Sequence, residues 1–442
     1  MQGLLIRGAF ERPVTTDEHE IEWCERRILQ RIHRLTLSTL RKQIEAVTPA
    51  VYMRWLLGWQ HLAPQTQLSG EEGLLDVLSQ LEGFEAPAIE WERSLLPLRI
   101  ANFDPRWLDQ LCLSGAVGWG RVSPHPAWTA GEGSAPRRVI PTNAAPITFY
   151  IRSSADWLPH ALAQQCADET RLQQSLSTEA GQTRALLQQR GACFANDIQR
   201  ILNLTRAQTQ HALWELATAG LAASDGFDQL RAMMDPRRKS AAANDRKVRS
   251  SAGRWCLFTE ETHGALTAIE RARRTDSAIE SAARMLLARY GVVFRDLLTR
   301  ESNAPKWRDL LGMLRRLEAR GEVRGGRFLS GFGGEQFALP EALESLRSAR
   351  HHAETNIITV PAADPMNLVG IVVPGDRIAA VPGKFVRFCD GAAFVEDDVE
   401  GEGADASAHS QSLPINSNIK QRADRIPAVV QPSAAPADLR LF

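Results

Sequence analysis

The sequence predicts a mainly α-helical protein with small β-hairpins, an α+β fold in which winged helices follow one another along the chain. The first observation is a repeat, Leu-x-x-Leu-x-x-x-Gly plus a short alternating stretch, in "LDQLCLSGAVGWGRV" (108–122), "LWELATAGLAASDGF" (213–227) and "LRRLEARGEVRGGRF" (314–328). The second is an upstream match between "RGACFANDI" (190–198) and "YGVVFRDLL" (290–298). Three helices followed by a hairpin form a winged helix, a helix-turn-helix variant.

The N-terminal segment, residues 1–75, is predicted to be a helical module that contains another, less regular winged helix. Within it, "EWCERRILQRIHRLTLSTLRKQIEAV" has the apolar spacing of one long amphipathic helix or a pair of helices. The following stretch "PAVYMRWLLGWQHLAP" opens with Pro49, which is favoured in the first turn of a helix. A winged helix over 76–160 contains the first repeat copy, and its Pro-, Gly- and Ala-rich stretch 123–146 predicts an irregular wing or linker.

Two further winged helices are predicted over 161–262 and 263–352. The earlier one includes a loop, 237–254, with seven basic residues against Asp245, which indicates either a disordered loop or a tether to phosphate. In the later one, "VVFRDLL" starts a second helix, and "KWRDLLGMLRRLEAR" has the apolar spacing of a third helix that ends at Gly321. A hairpin follows, and we expect Gly325 and Gly326 to form its tip.

The C-terminal part changes character. Short apolar runs broken by Asp-Pro and Pro-Gly turns predict a small β module over 353–396, and the stretch 397–442 lacks apolar periodicity and is expected to be disordered. Because a module of about 40 residues is too small to bury a good core alone, we expect it to need a docking surface and the chain to be oligomeric.

Composition, net charge and missing motifs exclude several classes of function. The 442 residues carry 52 Lys+Arg and 52 Asp+Glu, so any basic surface must be local. The six cysteines lack metal-ligand spacing, and no apolar run reaches the roughly 18 residues of a membrane span. We therefore expect a soluble, cytoplasmic protein without metal, cofactor or membrane contact. No GxxxxGK[ST] loop occurs, so no ATP hydrolysis by this chain is expected.

A local basic surface is the candidate site. In a winged helix the third helix can enter a major groove while the hairpin lies along the backbone, where arginine and lysine meet phosphates. Exposed wing arginines are also common as solubilising residues, and winged helices also mediate protein contacts. The candidate DNA-binding residues, for duplex or single strand, are Arg324, Arg327, Lys306, Arg308, Arg206, Gln208, Arg237, Arg238, Lys239 and Lys247.

Several motifs together resemble the C-terminal region of the bacterial large helicase-related proteins. They are "EWCERRILQRIHR", "RWLLGWQHLAP", "LCLSGAVGWGR", "RYGVVFRDLLTRE", "RRLEARGEVRGGRFLSGFGGEQFALPEA" and "ADPMNLVGI", and they run from about Arg7 to Val395. The resemblance implies tandem winged helices with a terminal β-barrel-like module, a tetrameric homo-oligomer and a role in DNA repair. It also implies a partner, the ATP-driven helicase core of the family, in cis or encoded nearby.

The resemblance extends to DNA glycosylases that unhook crosslinks, whose site contains a Gln-x-Gln or Gln-x-Asp motif. In "LLGWQHLAP", Gln60 matches the first position and is the candidate catalytic residue, but Leu62 stands at the second, where an alkyl group cannot activate water. Asp296 and Asp364 are further carboxylates in resembling motifs. Three functions remain open: a DNA-binding accessory region without its own ATPase, a base-excision glycosylase, and an assembly scaffold without DNA contact.

Overall fold

Repeated units of three helices and a hairpin make up most of the protein. The structure, a computed structural model, describes residues 5–8, 22–42, 44–129, 137–162, 169–234, 253–258, 267–351 and 356–394. All of them belong to one unit, Met1–Val395. The stretch 397–442, for which we expected disorder, lies outside the described residues.

The N-terminal segment forms a hairpin and two helices. Its elements are β1 (Leu5–Gly8), β2 (Glu22–Glu25), α1 (Arg26–Lys42) and α2 (Pro49–Trp59). Thr48 caps α2 by accepting a hydrogen bond from the amide of Val51 at 3.3 Å, and Pro49 occupies the first turn as predicted. The described part of 1–75 contains no three-stranded wing sheet, so the additional winged helix expected there is not seen.

The first winged helix begins earlier than predicted. Its elements are β3 (Leu68–Ser69), α3 (Gly70–Gln80), β4 (Ala86–Pro87), α4 (Ala88–Glu90) with a π-helical continuation (Trp91–Leu95), β5 (Ile100–Ala101), α5 (Pro105–Leu113), β6 (Val117–Gly120), α6 (Pro126–Thr129) and β7 (Pro146–Ile151). The order of its sheet is β4-β7-β6. The expected domain boundary between residues 75 and 76 therefore falls inside α3, because α3 is the first helix of this unit.

The second winged helix has the same plan. Its elements, with the connection before it, are a 3₁₀ turn (Arg152–Ser154), α7 (Leu158–Leu162), α8 (Glu169–Ser175), α9 (Thr178–Arg190), β8 (Cys193–Phe194), α10 (Ala195–Ile201), α11 (Arg206–Ala219), β9 (Ala222–Ser224), α12 (Asp228–Met234) and β10 (Arg254–Leu257). Its sheet order is β8-β10-β9. The short helix α12 lies within its wing, between the last two strands.

The third winged helix is the best match to the predicted repeat. Its elements are α13 (Ala268–Tyr290), β11 (Val292–Val293), a 3₁₀ helix (Arg295–Arg300) in place of the expected second α-helix, α14 (Trp307–Ala319), β12 (Arg324–Gly326) and β13 (Gln336–Ala338), in a sheet of order β11-β13-β12. The repeated glycine follows the third helix in each unit, with φ of 82° at Gly115, 79° at Gly220 and 81° at Gly321. This left-handed backbone favours glycine, so one backbone requirement explains the repeat.

The wing of the third unit differs from the prediction in one respect. Gly325 and Gly326 do not form the tip of the hairpin; they lie in β12, paired with Phe337 and Gln336. A Cβ at Gly325 would clash with Glu318 and Arg41, and one at Gly326 would clash with Ile44. Close packing against α1 and the residues after it therefore requires these glycines. The turn is the loop 327–335, which we call the wing loop.

The C-terminal segment is an open sheet. After α15 (Pro340–Ser348) and a 3₁₀ turn (Ala349–His351), the strands β14 (Ile357–Pro361), β15 (Phe385–Cys389) and β16 (Ala392–Phe394) pair in that order. The barrel-like closure that we expected is absent from the sheets of the described residues. Three strands with a single buried face must pack on another element to bury it.

Two large cores hold the units together. One is shared by the first and second winged helices and includes Trp91, Trp119 and Trp255. The other is shared by α2, the third winged helix and the C-terminal sheet, and it joins Tyr52 to Val360. The sheet therefore finds its docking surface within this chain, which removes the physical reason we gave for oligomerisation. None of the described helices has the length and apolar character needed to cross a membrane.

Candidate nucleic-acid interface

The third helix of the third unit, α14, presents a polar face to solvent. Its buried side is formed by Leu310, Met313, Leu314, Leu317 and Glu318. Its exposed side carries a series of arginines and one small residue: Arg308, Gly312, Arg315, Arg316, Ala319 and Arg320. The apolar stripe predicted from the sequence is confirmed, and it leaves the opposite face open for a ligand.

The exposed cations of this unit fall into two groups. Arg315 pairs with Glu335 at 2.8 Å, Arg316 with Asp276 at 3.0 Å and Arg320 with Glu280 at 2.9 Å. A second group is exposed and has no ion pair or hydrogen bond to any described residue through its side chain; besides Arg271, Arg273, Arg295 and Arg347 on other elements, it includes Lys306, Arg308, Arg324 and Arg327. The latter four are the cations predicted at this unit, two at the start of α14 and two on the wing.

Hydrogen bonds from one buried side chain fix the wing loop. The side chain of Gln336 is fully buried, and its Oε1 accepts hydrogen bonds from the amides of Phe328 and Leu329, both at 2.8 Å. Its Nε2 donates to the carbonyl of Leu329 at 3.0 Å. These three bonds fix the start of the wing loop, next to Arg327. A fixed loop presents its cation in one place rather than in many, which lowers the entropic cost of binding.

Ion pairs occupy part of the third helix of the first unit, α5. On α5, Asp109 accepts from Arg231 of α12 at 3.0 Å, and the same guanidinium donates to Glu92 at 2.5 Å. The exposed Arg106 is held by Asp104, whose Oδ2 accepts from its Nη2 at 2.5 Å. The wing of the second unit therefore contacts α5 through Arg231, while Arg106, Gln110 and Leu113 of that helix stay exposed.

The third helix of the second unit is largely internal. More than half of α11 is buried, including Leu213 and Leu216. Of the two residues predicted to bind DNA, Arg206 is exposed and unpaired within the described region, but Gln208 is occupied. Its Oε1 accepts from the amide of Thr205 at 2.9 Å in a capping box, so the helix N-terminus uses this side chain. The predicted basic cluster Arg237, Arg238, Lys239 and Lys247 lies outside the described residues.

Gln60 is placed in the interior. Its side chain is fully buried; Nε2 donates to the carbonyl of Arg289 at 2.7 Å, and Oε1 accepts from Arg99 at 3.3 Å. Arg99 in turn forms a fully buried ion pair with Asp364, with N–O distances of 2.7 and 3.0 Å. Asp364, for which the sequence offered no partner, thus has one. These contacts are those of a structural amide, and the catalytic role of Gln60 stays a prediction.

A cavity of about 440 Å³ lies between the first and third units. Its walls include the apolar side chains of Trp157 and Met285, and Lys306 lies at its edge with α14. Two buried donors that line it, Arg289 Nε and Asn303 Nδ2, have no hydrogen-bond partner among the described residues. Unpartnered buried donors are uncommon and favour a ligand that brings acceptors.

Two carboxylates also line this cavity. Glu301 already has partners within the protein: it pairs with Arg289 at 2.5 Å and accepts a hydrogen bond from the hydroxyl of Tyr290 at 2.7 Å. Burial raises the pKa of the Tyr290 hydroxyl well above its ordinary value. Asp309 is exposed and its carboxylate bonds to no described side chain. The structured regions bring no group of three His, Cys, Asp or Glu side chains together at a spacing for a metal ion.

These features define a tandem winged-helix protein whose third unit presents an exposed, basic third helix; winged helices form a class in which the third helix and the wing can contact DNA. Residues 47–135 and 272–357 each match a family model described as the winged-helix domain of the large helicase-related protein. The resemblance to the large helicase-related proteins is thereby confirmed, and it is consistent with their C-terminal region without the helicase core.

Two relatives align along most of the chain. It is 28% identical over 409 residues to a Mycolicibacterium smegmatis protein named "Lhr helicase/ probable uracil glycosylase", which covers 87% of this chain and 25% of the relative. It is 26% identical over 400 residues to an Escherichia coli protein named "Lhr helicase/uracil glycosylase", which covers 80% of this chain and 24% of the relative. The chain therefore spans about a quarter of the length of these relatives.

Proposed function

We propose that this chain is a DNA-binding accessory region of a large helicase-related DNA repair helicase, which holds DNA for a helicase core of the same family. The proposal rests on one observation: some exposed cations of the third unit are ion-paired, whereas those at the start of its third helix and on its wing are not. Lys306, Arg308, Arg324 and Arg327 remain exposed and unpaired among the described residues while Arg315 and Arg316 are neutralised by carboxylates. Unpaired cations at the start of a recognition helix and on its wing match the positions of phosphate contacts.

Recognition through phosphates predicts binding that is insensitive to sequence. Replacement of Lys306, Arg308, Arg324 and Arg327 by alanine should weaken binding to two unrelated duplexes by the same factor, because phosphate contacts carry no sequence information. A matched control replaces Arg93, Arg106, Arg184 and Arg200 by alanine; these four are ion-paired on the other two units, and all but the half-buried Arg184 are exposed. Affinity is measured by fluorescence anisotropy.

The control should bind both duplexes as the wild type does. If the quadruple variant of the third unit also binds unchanged, this unit contacts protein instead, and the assembly scaffold becomes the better account. If the variant loses affinity for one duplex only, the cations read base edges and the phosphate proposal is wrong.

The cavity favours a second candidate function, a base-excision DNA glycosylase. About 440 Å³ is enough for one nucleobase, and its two unpartnered donors match the carbonyl acceptors of a pyrimidine such as uracil. In this candidate the carboxylate of Asp309, which lines the cavity, activates water in place of the amide of Gln60. Both curated relatives carry uracil glycosylase in their names.

The glycosylase candidate is tested with uracil-containing DNA. The wild-type chain should convert uracil to alkali-labile abasic sites, Asp309→Asn should lose this activity while binding DNA normally, and Asp296→Asn is the control carboxylate outside the cavity lining. No cleavage at stoichiometric protein, or equal cleavage by wild type and Asp309→Asn, would exclude Asp309 chemistry in this cavity.

A further inference from the structure

The helix α1 has an unusual charge composition. Its 17 residues, "RRILQRIHRLTLSTLRK", contain six basic residues and no Asp or Glu. On a helix with 100° per residue, all six fall within roughly half of the circumference. They are Arg26, Arg27, Arg31, Arg34, Arg41 and Lys42. Since the chain as a whole is neutral, Arg26, Arg27 and Arg31, which pair with no described carboxylate, concentrate positive charge locally.

The C-terminal end of α1 is fixed to the wing of the third unit. Arg41 donates to Glu318 on α14 at 3.0 Å and to Glu335, the last residue of the wing loop, at 3.2 Å. Just beyond the helix, Val47 donates to the carbonyl of Phe328 at 2.7 Å and accepts from the amide of Ser330 at 2.9 Å. The glycines of β12 leave room for this approach. α1 therefore continues the surface of the wing.

The other end of α1 extends away from this anchor with its cations free. Arg26, Arg27 and Arg31 are exposed and form no ion pair or hydrogen bond with any residue that the structure describes. A helix of 17 residues is about 25 Å long, which corresponds to roughly seven base pairs of duplex. At the anchored end, Arg41 lies against Gly325 of β12, the strand that also carries Arg324.

We infer that α1 is a second phosphate-binding element, which extends the DNA path of the third winged helix beyond its wing. This inference rests on the proposed function. The charge of α1 favours the phosphate backbone of a nucleic acid as its ligand, because the helix contains no Asp or Glu and its C-terminal end is fixed to the wing that carries Arg324 and Arg327. Ile28, Ile32 and Leu35, which are 51%, 49% and 58% exposed, lie outside the basic arc and are left uncovered by this arrangement.

The test compares duplexes of two lengths. The variant Arg26→Ala/Arg27→Ala/Arg31→Ala should bind a long duplex of about 25 base pairs more weakly, with a slope of log affinity against log salt shallower by about three units, close to 0.9 for each lost contact. It should bind a duplex of about 10 base pairs, which the third unit alone can cover, as the wild type does. The triple lysine variant at the same positions should keep the wild-type slope.

The matched control replaces the exposed Arg93, Arg106 and Arg200 by alanine, which removes the same charge from other units. An unchanged salt slope of the α1 variant on the long duplex overturns the inference. It leaves the proposed function standing if the wing variant Arg324→Ala/Arg327→Ala still weakens binding to both duplexes. An α1 variant that binds DNA normally but loses self-association or vesicle binding also overturns it and assigns α1 to protein or lipid. If both variants bind normally, the proposed function fails as well.

Discussion

At the scale of single residues, buried charges decide stability and exposed ones decide binding. Arg99 and Asp364 are both fully buried and form an ion pair although they lie 265 positions apart in the sequence. Asp364 also accepts from the amide of Met366 at 2.9 Å, so its carboxylate fixes the backbone before the C-terminal sheet. Removing one member of such a pair leaves an uncompensated buried charge.

Asp364→Asn should therefore lower the free energy of unfolding by about 3–5 kcal/mol, because the guanidinium of Arg99 loses its counter-charge. Urea unfolding followed by circular dichroism measures the change. Asp104→Asn is the control, since Asp104 forms a surface pair with Arg106 and its loss should barely change the midpoint. Equal midpoints for Asp364→Asn and the wild type would show that the pair is not formed in solution.

Titration of His125 should make the free energy of unfolding fall as the pH falls. Burial, and secondarily the charge of Arg121, lowers the pKa of His125 from 6.5 to about 4, and its Nδ1 accepts from the amide of Ala127 at 3.1 Å. Because the unfolded chain binds the proton first, the contribution of His125 to stability is present above pH 6.5. It is lost as the pH falls from about 6.5 toward about 4.

The free energy of unfolding should accordingly fall over this interval, and less steeply in His125→Asn, where the titrating group is missing. The difference between wild type and variant isolates His125 from the carboxylates that titrate at the lower end. Parallel curves for the two proteins would contradict the burial of a neutral imidazole.

At the scale of elements, the sequence pattern correctly predicted the features that depend on neighbouring residues, such as the position and the end of α14. The spacing of Leu314 and Leu317 and the glycine at 321 located α14 and its end, because helix periodicity and the left-handed turn depend on adjacent residues. Gly325 and Gly326 were misplaced at the tip of the wing. The cause of their position is packing by Arg41 and Ile44, almost 300 residues earlier, which no local pattern contains.

Substitutions at Gly312 on α14 can distinguish an effect on stability from an effect on DNA binding. A Cβ there would meet nothing within 4 Å, so Gly312→Ala should stabilise the protein by about 0.5–1 kcal/mol through helix propensity. Gly312→Gln should also raise the thermal midpoint but weaken duplex binding, because a long side chain on the exposed face keeps the helix out of the groove. Wild-type affinity of Gly312→Gln would show that this face of α14 does not approach DNA.

At the scale of the whole molecule, the sequence predicted three repeated units but not the unequal roles that contact between units gives them. The third helices α5, α11 and α14 carry the same pattern, yet Arg231 pairs with the first, more than half of the second is buried and α14 keeps an exposed face rich in arginine. Tertiary contacts of this kind also explain why Gln60, in a motif that resembles a catalytic one, is buried. The charge pattern of α1 was visible in the sequence, and its position beside the wing was not.

The central claim is that the third winged helix binds DNA through phosphates, and the salt dependence of Arg324→Ala/Arg327→Ala tests it most directly. Each lost phosphate contact should make the slope of log affinity against log salt shallower by about 0.9, so the double variant should differ from the wild type by about two units on any duplex. Its thermal midpoint should not change, because both side chains are exposed. Arg106→Ala/Arg200→Ala, with the same loss of charge, should keep the wild-type slope. An unchanged slope in Arg324→Ala/Arg327→Ala, with unchanged affinity, would contradict the account and assign this wing to protein contacts.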